Sequence, residues 1–349
     1  MCIHVSSEPT LDAGRPEDAR SRALHHAALL PDYEPFETVR GEISLWGHGS
    51  FKHEFMGRLV GTWLAEFNRF HPDVALDYRM YGTASAIGAL YSGAGNLAIL
   101  GEEISPAALR AFRRARGYSP TGVTIATGSV RTNFFDYAHM VFKHRSNPLA
   151  GLTVQQLDGI FGTECRQGGP LIRTWGELGL GGEWAHQRIR LHSWRTDVDF
   201  ALFFSERILR YSHRWNPGVA EYVHATREDG SQYDHGEQIL DALARDRYAL
   251  AISNIRYAGP QVSLVPLAWG AGEPFCVPTI DSLVSRAYPL TRVIPAYVDR
   301  DPTRPFPQPV GEFLRFILSR QGQTSLVLHS GYLPVSPRAQ AQEMEVLAA

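Results

Sequence analysis

The first regular pattern of apolar and polar positions begins at residue 43. Residues 43–46 alternate and predict a short strand, which ends at a glycine-containing turn over residues 47–50. In residues 51–70, apolar side chains recur at every fourth position, which places them on one face of an amphipathic helix. These side chains are Phe55, Leu59, Trp63 and Phe67.

The same order of elements follows directly. Residues 74–80 alternate as a strand, residues 81–85 form a turn, and residues 86–92 begin a helix. A third strand, residues 96–100, comes after another glycine-rich turn. This alternation is typical of an α/β fold with a parallel sheet. The turns after such strands cluster at one edge of the sheet, where α/β folds bind ligands.

The rest of the chain continues in this style. Further strands are predicted for residues 139–143, 189–193, 249–253 and 292–298. Further helices are predicted for residues 153–161 with Thr153 as N-cap, for an apolar segment through Phe204 and Ile208, and for residues 239–244 and 310–319. No internal repeat of 20–50 residues is present, so we expect no repeat architecture.

The length of 349 residues fits about two domains, at about 150 residues each. Residues 1–40 are polar and contain several prolines. Residues 19–30 are compatible with a short helix, but we interpret residues 1–40 as an N-terminal tail. The α/β pattern then fills the chain from residue 41 onward.

Composition and charge exclude several classes of protein. The chain has 34 Lys and Arg against 36 Asp and Glu, and because nucleic-acid binders usually have a basic excess, we expect no nucleic-acid partner. No apolar run approaches the ~20 residues that span a membrane. The first 35 residues lack the hydrophobic segment of a secretory signal. Two locations therefore stay open: the cytoplasm, or a location outside it that is reached with a signal missing from this start.

The chain lacks the short motifs of several enzyme and cofactor classes. It has no P-loop, no G-x-G-x-x-G, no G-x-S-x-G and no His-Glu-x-x-His. The closest pairs among the 14 histidines are His25 with His26, His48 with His53, and His139 with His144. Because the sequence supplies no third ligand for any of these pairs, we predict no metal and no cofactor.

The three cysteines do not form a Cys-x-x-Cys pair. Cys165 and Cys276 can be bridged only if the fold brings their Cα atoms within about 7 Å. We favour free thiols for both.

Three polar turns follow predicted strands and precede predicted helices. They contain Gly49, Ser50 and Phe51 in the first, Thr83 and Ser85 in the second, and Arg195 and Thr196 in the third. A helix N-terminus offers unpaired N–H groups and partial positive charge, and hydroxyl and guanidinium groups beside it suit an anion. Ser and Thr at such positions also serve as ordinary helix caps. Because the arrangement recurs in both halves, we favour anion binding.

Two adjacent carboxylates, Glu102 and Glu103, follow the third predicted strand. Neighbouring residues on a strand point to opposite faces, so we do not expect the two to form a catalytic acid–base pair. Contact of Glu102 with a bound ligand fits its position better.

Six motifs occur in an order found in one protein family. They are Gly49-Ser50-Phe51, Gly82-Thr83-Ala84-Ser85, Asn147-Pro148-Leu149, Thr174-Trp175-Gly176-Glu177-Leu178-Gly179, Tyr288-Pro289-Leu290-Thr291-Arg292 and Gly331-Tyr332-Leu333-Pro334. Over residues 41–336 the chain resembles the phosphate-type substrate-binding proteins of bacterial ABC transporters.

The resemblance implies the type II periplasmic-binding-protein fold, with two α/β lobes joined by a two-crossing hinge. Lobe 1 would comprise residues 41–130 and 285–349, and lobe 2 residues 131–284. The protein would capture phosphate or a phosphate-like polar or anionic ligand in the interlobe cleft for an ABC-type transporter, without catalysis. The expected ligand contacts are Gly49, Ser50, Phe51, Thr83, Ser85, Glu102, Arg195 and Thr196.

The third turn departs from the family's pattern. Phosphate binders of this family usually carry Ser-Gly-Thr shortly after the arginine, whereas Asp197 and Asp199 follow Arg195 here. If these two carboxylates faced the ligand, each would repel a dianion by about 4 kcal/mol per charge pair, for charges ~4 Å apart at an effective dielectric of ~20. The ligand therefore stays open between phosphate and a phosphate-like organic molecule, with Trp46, Tyr81 and Trp194 as candidate lining.

The resemblance also implies an extracytoplasmic monomer whose partner is a membrane permease or an envelope receptor. Two other functions stay open. One is a sensor that binds a non-phosphate organic ligand and reports to a receptor. The other is an enzyme on the same scaffold, for which His48 and Glu102 are the candidate catalytic groups.

Overall fold

The computed structural model describes residues 16–49, 55–128 and 139–349. Its helices are α1 (Pro16–Ala28), α2 (Phe55–Phe67), α3 (Thr83–Ser92), α4 (Pro106–Arg116), α5 (Val154–Phe161), α6 (Asp199–Arg207), α7 (His235–Ala244), α8 (Ile280–Val284), α9 (Gln308–Ile317), α10 (Arg320–Ser330) and α11 (Pro337–Ala348). Its strands are β1 (Gly41–Gly47), β2 (Val74–Arg79), β3 (Leu97–Ile99), β4 (Thr121–Thr127), β5 (Met140–His144), β6 (Leu152–Thr153), β7 (Arg190–Trp194), β8 (Val219–Tyr222), β9 (Ala225–Thr226), β10 (Gln232–Tyr233), β11 (Ala249–Ser253), β12 (Val262–Leu264), β13 (Leu267–Ala268) and β14 (Val293–Val298). Three short 3-10 helices cover Gly176–Leu178, Gly182–Trp184 and Ile255–Tyr257.

The described residues divide into two compact units. The terminal unit contains residues 16–128 and 292–349, and the central unit contains residues 139–291. Each unit is built on its own five-stranded sheet with helices, which confirms the predicted α/β class.

The sheet of the terminal unit has the strand order β2-β1-β3-β14-β4. β1 runs parallel to β2 and β3, as predicted. β14 enters from the far end of the chain and lies antiparallel between β3 and β4. β4 therefore points in the same direction as β1, β2 and β3, so the carboxyl ends of all four lie at one edge of this sheet.

The predicted apolar stripe of α2 faces the core of the terminal unit. Leu59, Trp63 and Phe67 are fully buried, and Phe55 is partly buried against the same cluster. The indole Nε1 of Trp63 donates a hydrogen bond to the carbonyl oxygen of Gly322 in α10, at 2.8 Å. This contact fixes α2 against α10.

The described part of the predicted tail, residues 16–40, is instead packed into the terminal unit. α1 lies against α10, and Leu30, Tyr33 and Val39 are buried in the main core cluster. The Tyr33 hydroxyl donates a hydrogen bond to Glu312 Oε2 at 2.8 Å. The local pattern missed this packing because the partners lie about 280 residues away along the chain.

His71 completes the buried polar network around Tyr33. Its Nδ1 accepts a hydrogen bond from the Val39 amide at 3.2 Å, which leaves the proton on Nε2, 2.6 Å from the Tyr33 hydroxyl oxygen. Burial lowers the pKa of His71, and the charge of Glu312 only partly opposes this. The neutral imidazole is therefore the form that the folded protein contains.

The stability of the protein is expected to fall as the pH drops below about 6.5, the ordinary pKa of an unfolded histidine. There the unfolded chain binds a proton that folded His71 does not, so protonation favours unfolding; above that pH this contribution to stability is complete. Urea unfolding between pH 5 and 7.5 should give a shallower pH slope for His71→Gln than for wild type. The exposed-histidine control, His186→Gln, should keep the wild-type slope; equal slopes for all three proteins would contradict this role of His71.

The sheet of the central unit has the strand order β12-β5-β11-β7-β8. β7, β8 and β11 are parallel, and β5 runs antiparallel to β11 and β12. Thr153 caps α5 as predicted, since its side chain accepts from the Gln156 amide and Gln156 reciprocates. Two smaller two-stranded sheets, β9 with β10 and β6 with β13, complete this unit.

None of the helices formed by the described residues combines the length and the apolar character that a bilayer crossing requires.

The two cysteines of the described residues, Cys165 and Cys276, are not joined in a disulfide, as favoured, and Cys276 is buried.

Candidate functional site

The candidate site of the terminal unit lies at the edge where β1, β2 and β3 end. The turns that follow these strands begin at His48, Met80 and Leu100. In an α/β sheet, ligands bind outside the carboxyl ends of the strands, because the loops and helix N-termini converge there. Of the predicted contacts, the structure brings Gly49, Thr83, Ser85 and Glu102 to this edge.

The first two turns are tied together through their backbones. The amide of Gly82 donates to the carbonyl oxygen of Gly47 at 3.1 Å. Gly49 has φ +150° and Gly82 has φ +111°, a backbone conformation that L side chains rarely adopt. Ser50 and Phe51, predicted as ligand contacts, lie outside the described residues, as does His53.

The predicted hydroxyl groups of the second turn hold the site's backbone in place. Thr83 Oγ1 accepts a hydrogen bond from the Gly101 amide at 3.3 Å, which joins the second polar turn to the segment that follows β3. Ser85 Oγ donates to the Gly82 carbonyl oxygen at 2.8 Å. Gly82 is the N-cap of α3 and provides no side-chain cap. The first N–H groups of α3, which have no acceptor within the helix, thus carry the positive end of its dipole to this edge.

Glu102 and Glu103 both lie beside one buried arginine, Arg292. The Arg292 side chain is 3% exposed, and its Nη2 lies 3.8 Å from Glu102 Oε2 and 3.6 Å from Glu103 Oε2. The expectation that the two carboxylates point to opposite faces is wrong, because β3 ends at Ile99 and both residues lie in the bend before α4. Arg292 therefore compensates two negative charges at the candidate site.

Arg292 is the residue that reasoning from the sequence missed. It ends the Tyr-Pro-Leu-Thr-Arg motif and directly precedes β14. Its carbonyl oxygen accepts a hydrogen bond from the Gly128 amide at 3.0 Å, which links it to the end of β4. A signal was present, since an arginine at the start of an apolar strand needs a buried partner. The partner itself lies about 190 residues away in the sequence.

The ring of His48 belongs to the packing beneath the first turn. His48 is buried, with Nε2 3.3 Å from the Tyr332 hydroxyl oxygen. Its ring makes edge contacts with Phe55 and Tyr332, with ring centres 6.3 and 6.0 Å away. This environment fits a structural histidine.

The aromatic candidates Trp46 and Tyr81 form a pair at the second turn. Their ring centres lie 5.9 Å apart at an interplanar angle of 81°, and the Arg79 guanidinium lies 5.3 Å from the centre of the Trp46 ring. Tyr81 is 55% exposed at this edge.

The third predicted turn belongs to the central unit and follows β7. Arg195 forms an ion pair with Asp197, and Thr196 Oγ1 donates to Glu221 Oε1 at 2.8 Å. The side chain of Asp199 lies outside the described residues. The Arg195 Nε is thus paired within its own turn, where the charge of Asp197 offsets that of the guanidinium.

Trp194, predicted as lining, is fully buried in a cluster of rings at the end of β7. It stacks on Phe200 with ring centres 5.0 Å apart, and the His139 ring centre lies 5.2 Å away. Its role is therefore to pack the central unit, because an indole without exposed surface cannot touch a ligand in solution.

Comparison with known proteins gives a consistent picture. No model of a known protein family matches the chain. The phosphate-binding protein PstS of two Pseudomonas aeruginosa strains is 28% identical over 321 residues, which cover 91% of this chain and 90% of that protein. The solved structure of PstS from Borrelia burgdorferi aligns with a TM-score of 0.53 at 12% identity, over 86% of this chain and 100% of the other.

The similarity to the Borrelia structure concerns the fold, and the similarity to the Pseudomonas proteins extends over nearly the whole sequence. Together they confirm the resemblance that six short motifs indicated. This chain is therefore similar in sequence to the phosphate-binding protein PstS over nearly its whole length and shares the fold of a solved PstS structure.

Proposed function

We propose that this protein binds phosphate, or a phosphate-like anion, outside the cytoplasm and delivers it to an ABC-type transporter through a membrane permease. The observation that carries the proposal is the similarity to phosphate-binding proteins over 91% of the chain. The terminal unit offers a matching site, since glycine turns and the N-terminus of α3 meet at one sheet edge. We expect the protein to act as a monomer.

The site is suited to an anion that still carries a proton. The amides at the start of α3 and its dipole favour negative charge. The Glu102 carboxylate can only accept hydrogen bonds when ionised, so it favours an oxyanion with an O–H group. Hydrogen phosphate has such a group at neutral pH, whereas sulfate does not. Arg292 offsets the charge of Glu102 and Glu103, which would otherwise repel either anion.

We further propose that binding, and not catalysis, is the activity of this protein. The two residues considered for an enzyme have other roles in the structure. His48 is packed between Phe55 and Tyr332, and Glu102 lies beside Arg292. A binding protein needs no general base, and the relatives that match the full length are named for phosphate binding.

Isothermal titration of the purified chain with phosphate tests the proposal. Wild type should bind one phosphate, and sulfate should bind more weakly. Gly82→Ala should weaken phosphate binding at least about tenfold, because φ +111° with ψ 161° costs about 1–3 kcal/mol for alanine and moves the first turn of α3. An alanine Cβ there would meet no heavy atom within 4 Å, so steric overlap is not the cause.

Gly117→Ala is the matched control. Gly117 also has positive φ, +83°, and an equally open position, but it ends α4 at the amino end of β4. It should lose about 1–2 kcal/mol of stability and keep the wild-type phosphate affinity. Absence of phosphate binding by wild type would refute the function; equal losses of affinity in both variants would refute the placement of the site.

A further inference from the structure

Two histidines and one aspartate meet at the start of α7 in the central unit. His224 precedes β9 and Asp234 follows β10. The antiparallel register pairs Ala225 with Tyr233, so the hairpin brings its two flanking residues together. His235 is the first residue of α7. One potential ligand atom from each of these three side chains lies within 4.8 Å of the others.

The two imidazoles lie against each other. Their ring centres are 4.0 Å apart at an interplanar angle of 23°, and His224 Nδ1 lies 3.6 Å from Asp234 Oδ2. Burial, and then the proximity of His224, lower the pKa of His235. An imidazole nitrogen binds a metal ion through its lone pair.

Two of the three side chains are held in place by other contacts. Asp234 Oδ1 accepts a hydrogen bond from the Gly236 amide at 2.8 Å, which leaves Oδ2 directed toward His224. The His235 ring packs edge-on against Trp194 and Phe200, with ring centres 6.3 and 6.1 Å away. Such contacts orient metal ligands before the ion arrives. The His224 side chain is 47% exposed, which gives an ion access from solvent.

We propose that His224, Asp234 and His235 bind a divalent transition-metal ion of the zinc class. Two imidazole nitrogens and one carboxylate oxygen are a common three-ligand set for Zn²⁺, with water in the fourth position. A harder ion such as Mg²⁺ prefers an all-oxygen set and would bind weakly. The site lies at the carboxyl end of β8, next to the Arg195 turn that follows β7. The proposal does not depend on phosphate binding.

A Co²⁺ titration of the full chain without a histidine tag tests the proposal, because visible absorption reports Co²⁺ bound by nitrogen and oxygen ligands. Wild type should bind one Co²⁺ per chain in a saturable way, and Zn²⁺ should displace it. His224→Gln and His235→Gln should each weaken Co²⁺ binding at least about tenfold.

Asp234→Asn separates metal binding from helix capping. Asparagine caps a helix about as well as aspartate, so the start of α7 should stay folded while the charged ligand is lost. This variant should keep the wild-type circular dichroism and lose at least about tenfold in Co²⁺ affinity.

Two controls identify binding elsewhere on the surface. His186→Gln removes an exposed histidine of the central unit, and the double variant His25→Gln/His26→Gln removes the adjacent pair on α1. Both should bind Co²⁺ as wild type does. The proposal is overturned if wild type shows no saturable binding, if Asp234→Asn and His235→Gln keep wild-type affinity, or if only the α1 variant loses it.

Discussion

Replacing Arg292 with alanine is expected to lower the free energy of unfolding by about 2–4 kcal/mol. The guanidinium is buried, and its removal takes a positive charge away from both Glu102 and Glu103. The estimate lies below the usual cost of breaking a fully buried pair, because both carboxylates are partly exposed. Urea unfolding followed by circular dichroism measures the change.

The same variant should also bind phosphate at least about tenfold more weakly, since the two carboxylates repel an anion more strongly without the charge of Arg292. Arg292→Lys keeps the charge and should recover part of both losses. Arg79→Ala, which breaks the exposed ion pair with Asp77, should cost less than about 1 kcal/mol. If Arg292→Ala is no more destabilising than Arg79→Ala, Arg292 does not neutralise the site.

Trp63→Ala is expected to cost about 3–5 kcal/mol, the range for truncating a fully buried large aromatic side chain. The substitution opens a cavity between α2 and α10 and leaves the Gly322 carbonyl oxygen without its indole donor. Because α2 follows the first polar turn, the variant should also weaken phosphate binding. Circular dichroism is the suitable probe, since tryptophan fluorescence changes with the substitution itself.

Trp63→Phe is the matched variant for this experiment. It keeps an aromatic ring in the core and loses mainly the hydrogen bond to Gly322, so its cost should be about 1–2 kcal/mol. Similar losses of unfolding free energy for Trp63→Ala and Trp63→Phe would indicate that the core around position 63 collapses onto the smaller side chain, contrary to the packing described.

Local periodicity was enough to place about half of the helices and strands. The stripe through Leu59, Trp63 and Phe67 and the cap at Thr153 are encoded within a few neighbouring residues, and both are confirmed. The burial of Leu30, Tyr33 and Val39 and the antiparallel insertion of β14 depend on partners from the other end of the chain. A pattern that extends over ten or twenty residues contains no information about such partners.

The residues of the candidate site likewise fall into those that the local sequence predicts and those that only the fold brings together. Glycines before a helix mark the second turn locally, and the structure places Thr83 and Ser85 there. The role of Arg292 became visible only when the fold brought it to Glu102 and Glu103. His224 and His235 were likewise missed, because eleven positions separate them and only the β9–β10 hairpin closes that distance. The binding roles of all eight expected contacts stay predictions: Gly49, Ser50, Phe51, Thr83, Ser85, Glu102, Arg195 and Thr196.

The position of β14 has a consequence for the order of events during synthesis. The described part of the central unit is one continuous segment, residues 139–291, so all five strands of its sheet have been made before β14 leaves the ribosome. β3 and β4 are not neighbours in the folded sheet, and the strand that lies between them is made about 170 residues after β4. Until then both carry an open edge, which is a template for wrong pairing. We therefore expect the central unit to fold first and the terminal unit to close slowly, as the last step.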